Sequence, residues 1–561
     1  MPREAPAVTK MFPLSEIHRG LHGVAYTVFE GVTPEPMEVE ILGLLKDSLG
    51  PGKDMILARL RGTKPEYTGV VAGMSGSPVY IDGRLVGALS FRIGQFSKEP
   101  IAGITPIEQM LEVRDGAAAL KTMAAVRTGE RMPVEATPID TPLVFGGFSE
   151  EAVERFGDRF RAMGMTPVAG LGGSDAKAVQ PEPLVPGSAV SAVIVRGDLS
   201  MAGTCTVTYV DPQRLLACGH PITQFGQVDL PMTKADVVAT LASPLNAFKI
   251  VNTTETVGAF TEDRSSAILG RFGVQARMIP VEVTVVPQGA PVKSKTMRFE
   301  VVDNRQLTPS AMLVSVYQSL QGTNVSAAEM SYRLSGEMSV QGETPVQMQG
   351  VMAQSALNPG SIETALYVYD GFSRVYGTLA TRPVITGLKL RAEAIPEQQT
   401  AVIESARTTA EEVHAGDTVD VEVTLRPYRL PVRRMYVAVK LPQSLQRGAL
   451  RVVVSDGATV DRMSLAEGTT VARAMGLADT IAAMNARHAN DRVYVTLLEH
   501  AAQATLASGA MEAVPLSMAN VLDREKDAQQ VQLHGESAIA GGSQGTDYAL
   551  SGQQVLTLTV R

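Results

Sequence analysis

Residues 73–91 read GMSGSPVYIDGRLVGALSF, a serine held between two glycines, then a proline, then two apolar runs split by Asp82-Gly83. Glycines on either side of Ser75 let the backbone take φ values that other residues resist and let a second molecule come close. The runs on either side of Asp82-Gly83 alternate as a hairpin does. The stretch therefore reads as a turn feeding a β-hairpin, and Ser75 as either a nucleophile on that turn or ordinary turn punctuation.

Working outward, the chain is dominated by similar strands. MEVEILGLL, KDMILARLRG, GTCTVTYVD, VQARMIPVEVTVV and DTVDVEVTLRPY are rich in β-branched residues and bounded by Gly, Pro, Asn or Asp. Helices are secondary. SEEAVERFGDRFRAMG (149–164) has a serine start and a glycine stop, and residues 470–487 place Val471, Met475, Ala478 and Ala482 on one face. PIEQMLEVRDG (106–116) reads as a short helix with Thr105 as N-cap and Pro106 in its first turn. The fold class is mainly β.

With 561 residues the chain exceeds one core. Composition breaks divide it into a serine-bearing β lobe (1–115), a connector with helix (116–185), a histidine-bearing β lobe (186–290), a β-rich domain (291–391) and a β-sandwich-like domain with an inserted helix (392–561). In the last of these, AIAGGSQGTDYALSGQQ reads as a low-complexity patch before the final strand.

Lys and Arg total 50 against 58 Asp and Glu, with no dense basic stretch, which excludes a nucleic-acid footprint. No apolar run reaches the roughly 18 residues of a membrane helix, since AVSAVIV at 189–195 stops at Arg196. The start, MPREAPAVTKMFPLSEI, lacks the pattern of a secretory signal, leaving a cytosolic protein or one whose leader is missing from this sequence. Cys205 and Cys218 flank a hairpin whose Asp211-Pro212 turn brings them opposite each other, as a disulfide or as two small buried side chains. No CxxC pair or His/Cys cluster points to zinc.

A second stretch, LLACGHPITQFGQVDLP (215–231), ends a strand at Gly219-His220-Pro221 and so brings an imidazole to a sheet rim. A serine hydroxyl is a weak nucleophile until a base takes its proton, and histidine titrates nearest working pH.

Together, GMSGSPVYIDGRLVGAL and GTCTVTYVDPQRLLACGHPI resemble the serine and histidine regions of the SpoIVB-type sporulation serine peptidases. VGAFTEDRSSAILGRFG (257–273) and part of PGKDMILARLRG (51–62) extend the likeness, which covers roughly 45–115 and 195–290. The resemblance implies a two-lobed, trypsin-like β-barrel endopeptidase acting on a protein or peptide substrate, this chain included. It carries over Ser75 as nucleophile, His220 as base, and the Gly73 and Ser75 amides as oxyanion hole. Ala88, Leu89 and Ser90 would line the substrate cleft by edge pairing. No metal or organic cofactor is implied, and an exported or periplasmic location follows by analogy.

In that family the histidine region comes first; here Ser75 precedes His220 by 145 residues, so the lobes exchange order. No segment reads as the family's PDZ domain. The family's aspartate before the serine motif is missing from LRGTKPEYTG. The orienting acid is therefore sought in Asp263, 43 residues after His220, with Asp54, Asp229 or a Ser-His dyad as alternatives. The competing function is a non-catalytic, peptidase-like binding scaffold.

Overall fold

The computed structural model describes residues 9–94, 99–114, 136–169, 173, 178–243, 247–289, 293–322, 329–378, 382–467, 476–499, 502–506, 509–529 and 532–561. The chain falls into two compact units, 1–281 with 298–318, and 282–297 with 319–561.

The first unit is built on two closed antiparallel barrels. Their strands are numbered β1 (His22–Thr27), β2 (Glu35–Leu45), β3 (Met55–Arg61), β4 (Pro78–Ile81), β5 (Arg84–Ile93) and β6 (Ile101–Pro106), then β7 (Ala189–Gly197), β8 (Ser200–Val210), β9 (Arg214–Ala217), β10 (Gly226–Leu241), β11 (Phe248–Arg264) and β12 (Ala267–Phe272). The first ring runs β4-β1-β2-β3-β6-β5 and closes through β4–β5; the second runs β7-β10-β11-β12-β9-β8 and closes through β7–β8. Closure pairs the strands around each ring, except that past the end of β4 one side of β5 pairs with Ala136–Pro138.

The apolar positions explain the closure. Met37, Val39 and Ile41 on β2, Ile56, Ala58 and Leu60 on β3, and Ala102 and Ile104 on β6 alternate inward and fill one core with Val79, Ile81 and Leu89. Each such aliphatic side chain contributes about 1.5–3 kcal/mol when fully buried.

The Glu150–Arg161 helix forms as its sequence predicts: Ser149 Oγ accepts from the Ala152 amide, and Ala152, Val153, Phe156 and Phe160 are buried along one face. The 106–116 segment is shorter than expected. Among its described residues, 106–114, Ile107–Met110 is helical, Pro106 holds the cap position, and the Thr105 hydroxyl donates instead to the Gly219 carbonyl at 2.7 Å. A longer-range acceptor has taken the proposed cap.

The second unit contains a β-sandwich. Arg433–Lys440, Thr418–Pro427, Thr400–Thr408 and Ala549–Ser551 form one sheet; Glu412–Val413, Gln553–Val560, Gly448–Ser455, Arg492–Glu499 and Ser537–Gly545 form the other. Val421, Val423, Val437, Val452, Val454, Val495 and Leu497 meet between them. The glycine-rich patch is thus partly a strand, because Ser537–Gly545 pairs antiparallel with Arg492–Glu499, with one bulge at Gly541. A helix does interrupt the sandwich at Leu477–Asn485, but it buries Ile481 and leaves Ala478 and Ala482 exposed; Val471 and Met475 lie outside the described residues. No helix among the described residues is long and apolar enough to cross a membrane.

Candidate active site

Ser75 sits on the turn before β4, and that turn is clamped between the barrels. Gly76 N donates to Leu89 O at 2.7 Å and Leu89 N to Ser77 O at 2.9 Å, which ties the turn to β5. From the other barrel, Thr206 N donates to Ser75 O (2.7 Å), Thr206 Oγ1 to Gly73 O (2.9 Å) and Thr208 Oγ1 to Gly76 O (2.7 Å). Gly73 and Gly76 take φ of +94° and +95°. Glycine is needed at Gly76 for a second reason: a Cβ there would fall 1.9 Å from Thr206 O and 2.5 Å from Cys218 N.

That contact brings the histidine turn alongside. Cys218 N donates to Thr206 O at 3.2 Å, so the residue that receives Cys218 also grips Ser75. Cys218 (φ +66°) and Gly219 (φ +72°) turn the chain at the end of β9 and present His220, which is buried. Cys205 and Cys218 form a disulfide that ties the turn to β8.

His220 Nδ1 lies 2.8 Å from the Pro221 carbonyl. A carbonyl only accepts, so Nδ1 carries the proton and the neutral ring keeps its free lone pair on Nε2. Nε2 is buried without a hydrogen-bond partner, and so is Ser75 Oγ. The two are not hydrogen-bonded to each other. Burial pushes the His220 pKa below the usual value, against the pull of the Pro221 main chain, the Asp140 carboxylate and the Ile139 main chain. The imidazole is therefore held in its neutral, proton-accepting form.

Alternation in the turn leaves two donors over. Met74 N, Gly76 N and Ser77 N are spent on Val71, Leu89 and Met74 carbonyls, whereas the Gly73 and Ser75 amides have no acceptor among the described residues. Two unspent amides beside a hydroxyl are what a developing oxyanion requires.

The expected acids lie elsewhere. Asp263 accepts from Ile222 N (3.0 Å), Thr223 N (2.7 Å), Thr223 Oγ1 (2.6 Å) and Gln224 N (3.0 Å), so it shapes the loop after His220 and does not bond the ring. Burial raises its pKa against those four donors. Asp54 accepts from Asp47 N in a local turn, and Asp229, on β10, accepts from Arg277 N; neither bonds the ring. The Pro221 carbonyl occupies the place expected of a carboxylate, and Asp140, which sequence reading missed, is the acid whose charge acts on the imidazole.

The expected cleft strand is also different. Ala88 and Leu89 are buried, and their main chain is engaged: Ala88 pairs with Pro78 and Thr105, and Leu89 is bonded to the serine turn. The Ser90 side chain is buried too and donates to Ala88 O. These residues form the floor under the two turns, with Gly219 facing Ala88 and Ser90, and they offer no open edge.

One further group escaped the sequence reading. Lys249, on β11, is fully buried; its stem passes Gly73, where a Cβ would lie 3.3 Å from Lys249 Cδ, and its Nζ donates to Thr27 Oγ1 at 2.6 Å. Burial pushes its pKa down to about 7. Its only sequence signal was a lysine inside the strand that follows SPLNA. Among the described residues no three His, Cys, Asp or Glu side chains converge as a metal site.

Searches of protein-family models, of curated proteins and of solved structures return no match to this chain.

Proposed function

We propose that this chain is a serine endopeptidase of the SpoIVB type, with trypsin-like lobes in exchanged order, acting on a protein substrate. The observation that carries the reading is that four polar groups stay unspent on two turns joined through Thr206: Ser75 Oγ, His220 Nε2, and the amides of Gly73 and Ser75. Buried polar groups are nearly always paired, because an unpaired one costs roughly 1–3 kcal/mol. Four together mark a place kept for another molecule.

In the reaction, Ser75 Oγ attacks the scissile carbonyl carbon while His220 Nε2 takes its proton. The resulting oxyanion accepts from the two amides, and the imidazolium returns the proton to the leaving amine. Water then enters by the same route and releases Ser75. The unit is a dyad whose histidine is oriented by the Pro221 carbonyl. An exported location fits the Cys205–Cys218 disulfide, a bond that persists in oxidising compartments.

The second reading, a peptidase-like scaffold that only binds, is favoured by the missing hydrogen bond between Ser75 and His220. Labelling with a fluorophosphonate separates the two. A peptidase is labelled at Ser75, and Ser75→Ala and His220→Ala each lower turnover by roughly three orders of magnitude or more, with the double variant little worse. Full proteolysis by Ser75→Ala sinks the peptidase reading.

A further inference from the structure

Strand β5 runs away from the serine turn, and its bonding partners change along one side. Gly87 and Ala88 pair with Val79 and Pro78 of β4, and Leu89 is bonded to Gly76 and Ser77. At the next residue the partner is new: Ile139 N donates to Ser90 O at 2.8 Å, and Phe91, Arg92 and Ile93 pair antiparallel with Pro138, Thr137 and Ala136. The strand Ala136–Pro138 and the residue after it thus continue, without a gap, the ladder that the serine turn begins.

The occupant is well seated. Ile139 is fully buried in one cluster with Met74 and Leu89, the neighbours of Ser75 and Ser90. The next residue, Asp140, lies 3.7 Å from Arg92 through its carboxylate and accepts from Thr166 Oγ1 at 3.2 Å. The Ile139 main chain and the Asp140 carboxylate both act on the His220 ring. An extended segment is therefore antiparallel to the strand leaving the nucleophile turn, with a branched aliphatic side chain packed beside that turn. This is how a sheet edge receives a peptide, main chain for affinity and a pocket for specificity.

We propose that residues 136–140 fill the acceptor groove of the Ser75 site as an internal stand-in for substrate, and that the groove takes extended chain with a branched aliphatic residue where Ile139 lies. This rests on the hydrolase reading for the role of Ser75, while occupancy of the groove is testable without it. The segment competes with any incoming chain, so the resting protein is blocked until it is displaced.

Two variants loosen the segment by different means. Ile139→Ala empties the pocket. Thr137→Pro removes an amide from the next bonded pair, because antiparallel pairs alternate and the Ser90–Ile139 pair is a bonded one. Thermal melting confirms that at least one variant is folded. Two measurements are then made on the full chain: the rate of fluorophosphonate labelling at Ser75, and the anisotropy of a fluorescein-tagged peptide carrying residues 136–140. The expected result is labelling at least about tenfold faster in the folded variant, with saturable peptide binding there that is at least about tenfold weaker in the native chain. Equal labelling rates at Ser75 overturn the stand-in and leave the hydrolase reading intact. If Ser75 is labelled in neither protein, the hydrolase reading fails and the peptide decides alone: binding confined to the variant upholds occupancy, and equal or absent binding overturns it.

Discussion

The two barrels each hold one of the two proposed catalytic side chains, Ser75 and His220, and they do it by opposite means. The serine turn is held by main-chain geometry: two glycines at positive φ and five hydrogen bonds reaching Leu89, Thr206 and Thr208. The histidine turn is held by a covalent link at Cys218 and by one carboxylate, Asp263, that collects four donors from Ile222, Thr223 and Gln224. In the proposed function the Ser75 turn must keep the Gly73 and Ser75 amides free, so it is fastened through its carbonyls and the Gly76 amide. A base only has to aim one ring nitrogen, so its loop is fastened by whatever grips hardest.

The largest effect that separates the two modes is expected at their glycines. Gly76→Ala drives a Cβ into the Thr206 carbonyl at 1.9 Å, a main-chain obstacle, and urea unfolding is expected to lose about 4 kcal/mol or more. Gly219→Ala meets the Ser90 hydroxyl at 2.0 Å, which can rotate away, and the Ala88 Cβ at 3.0 Å, so its loss is expected near about 1–3 kcal/mol, from the positive φ and that tight contact. Equal losses would break the comparison.

The disulfide comes next. It closes a separation of 13 residues, for which chain entropy gives about 3 kcal/mol, and replacing Cys205 and Cys218 together by alanine is expected to lower stability by that amount. Labelling of Ser75 slows in the same variant, since the His220 turn loses its tether. Asp263→Asn is expected to cost about 2 kcal/mol, because the amide nitrogen that replaces one oxygen cannot accept the hydrogen bonds that oxygen receives. Unfolding curves at neutral pH measure both.

The last effect is a slope, small at each step of pH. The folded chain holds Lys249 at about 7 while an unburied lysine titrates near 10.5, so between those limits the unfolded chain binds the extra proton. The penalty from this group is complete below about 7 and fades as pH rises toward 10.5, at no more than about 1.4 kcal/mol per pH unit. Lys249→Met removes that slope from a plot of unfolding free energy against pH. An unchanged slope would mean that the amine reaches water or an anion.

Where pattern is local, the sequence was sufficient. β2, β3 and Thr418–Pro427 lie where alternating runs put them, because a strand with one buried face repeats every second residue; β8 also forms where its β-branched run predicts, though both its faces are buried. Ser149 capped its helix because the amide it serves is three residues away. The hairpin about Asp211-Pro212 set Cys205 opposite Cys218, and the turn glycines around Ser75 and before His220 were legible for the same reason.

Pairings across the fold were decided only by the tertiary structure. Thr105 gave up a nearby helix for the Gly219 carbonyl, Asp263 served a loop instead of a ring, and Ala88 to Ser90 became the floor of the site once both barrels had closed over them. Lys249 and Ile139 lay in segments with no motif, and what they meet, Thr27 and Ser90, is set by which strands the rings bring together. A polar side chain takes the partner that the packed core leaves within reach, and spacing along the chain says nothing of that choice. The sequence thus determined the Ser75 and His220 turns and the strands that carry them, while barrel closure determined which of their atoms stay unspent.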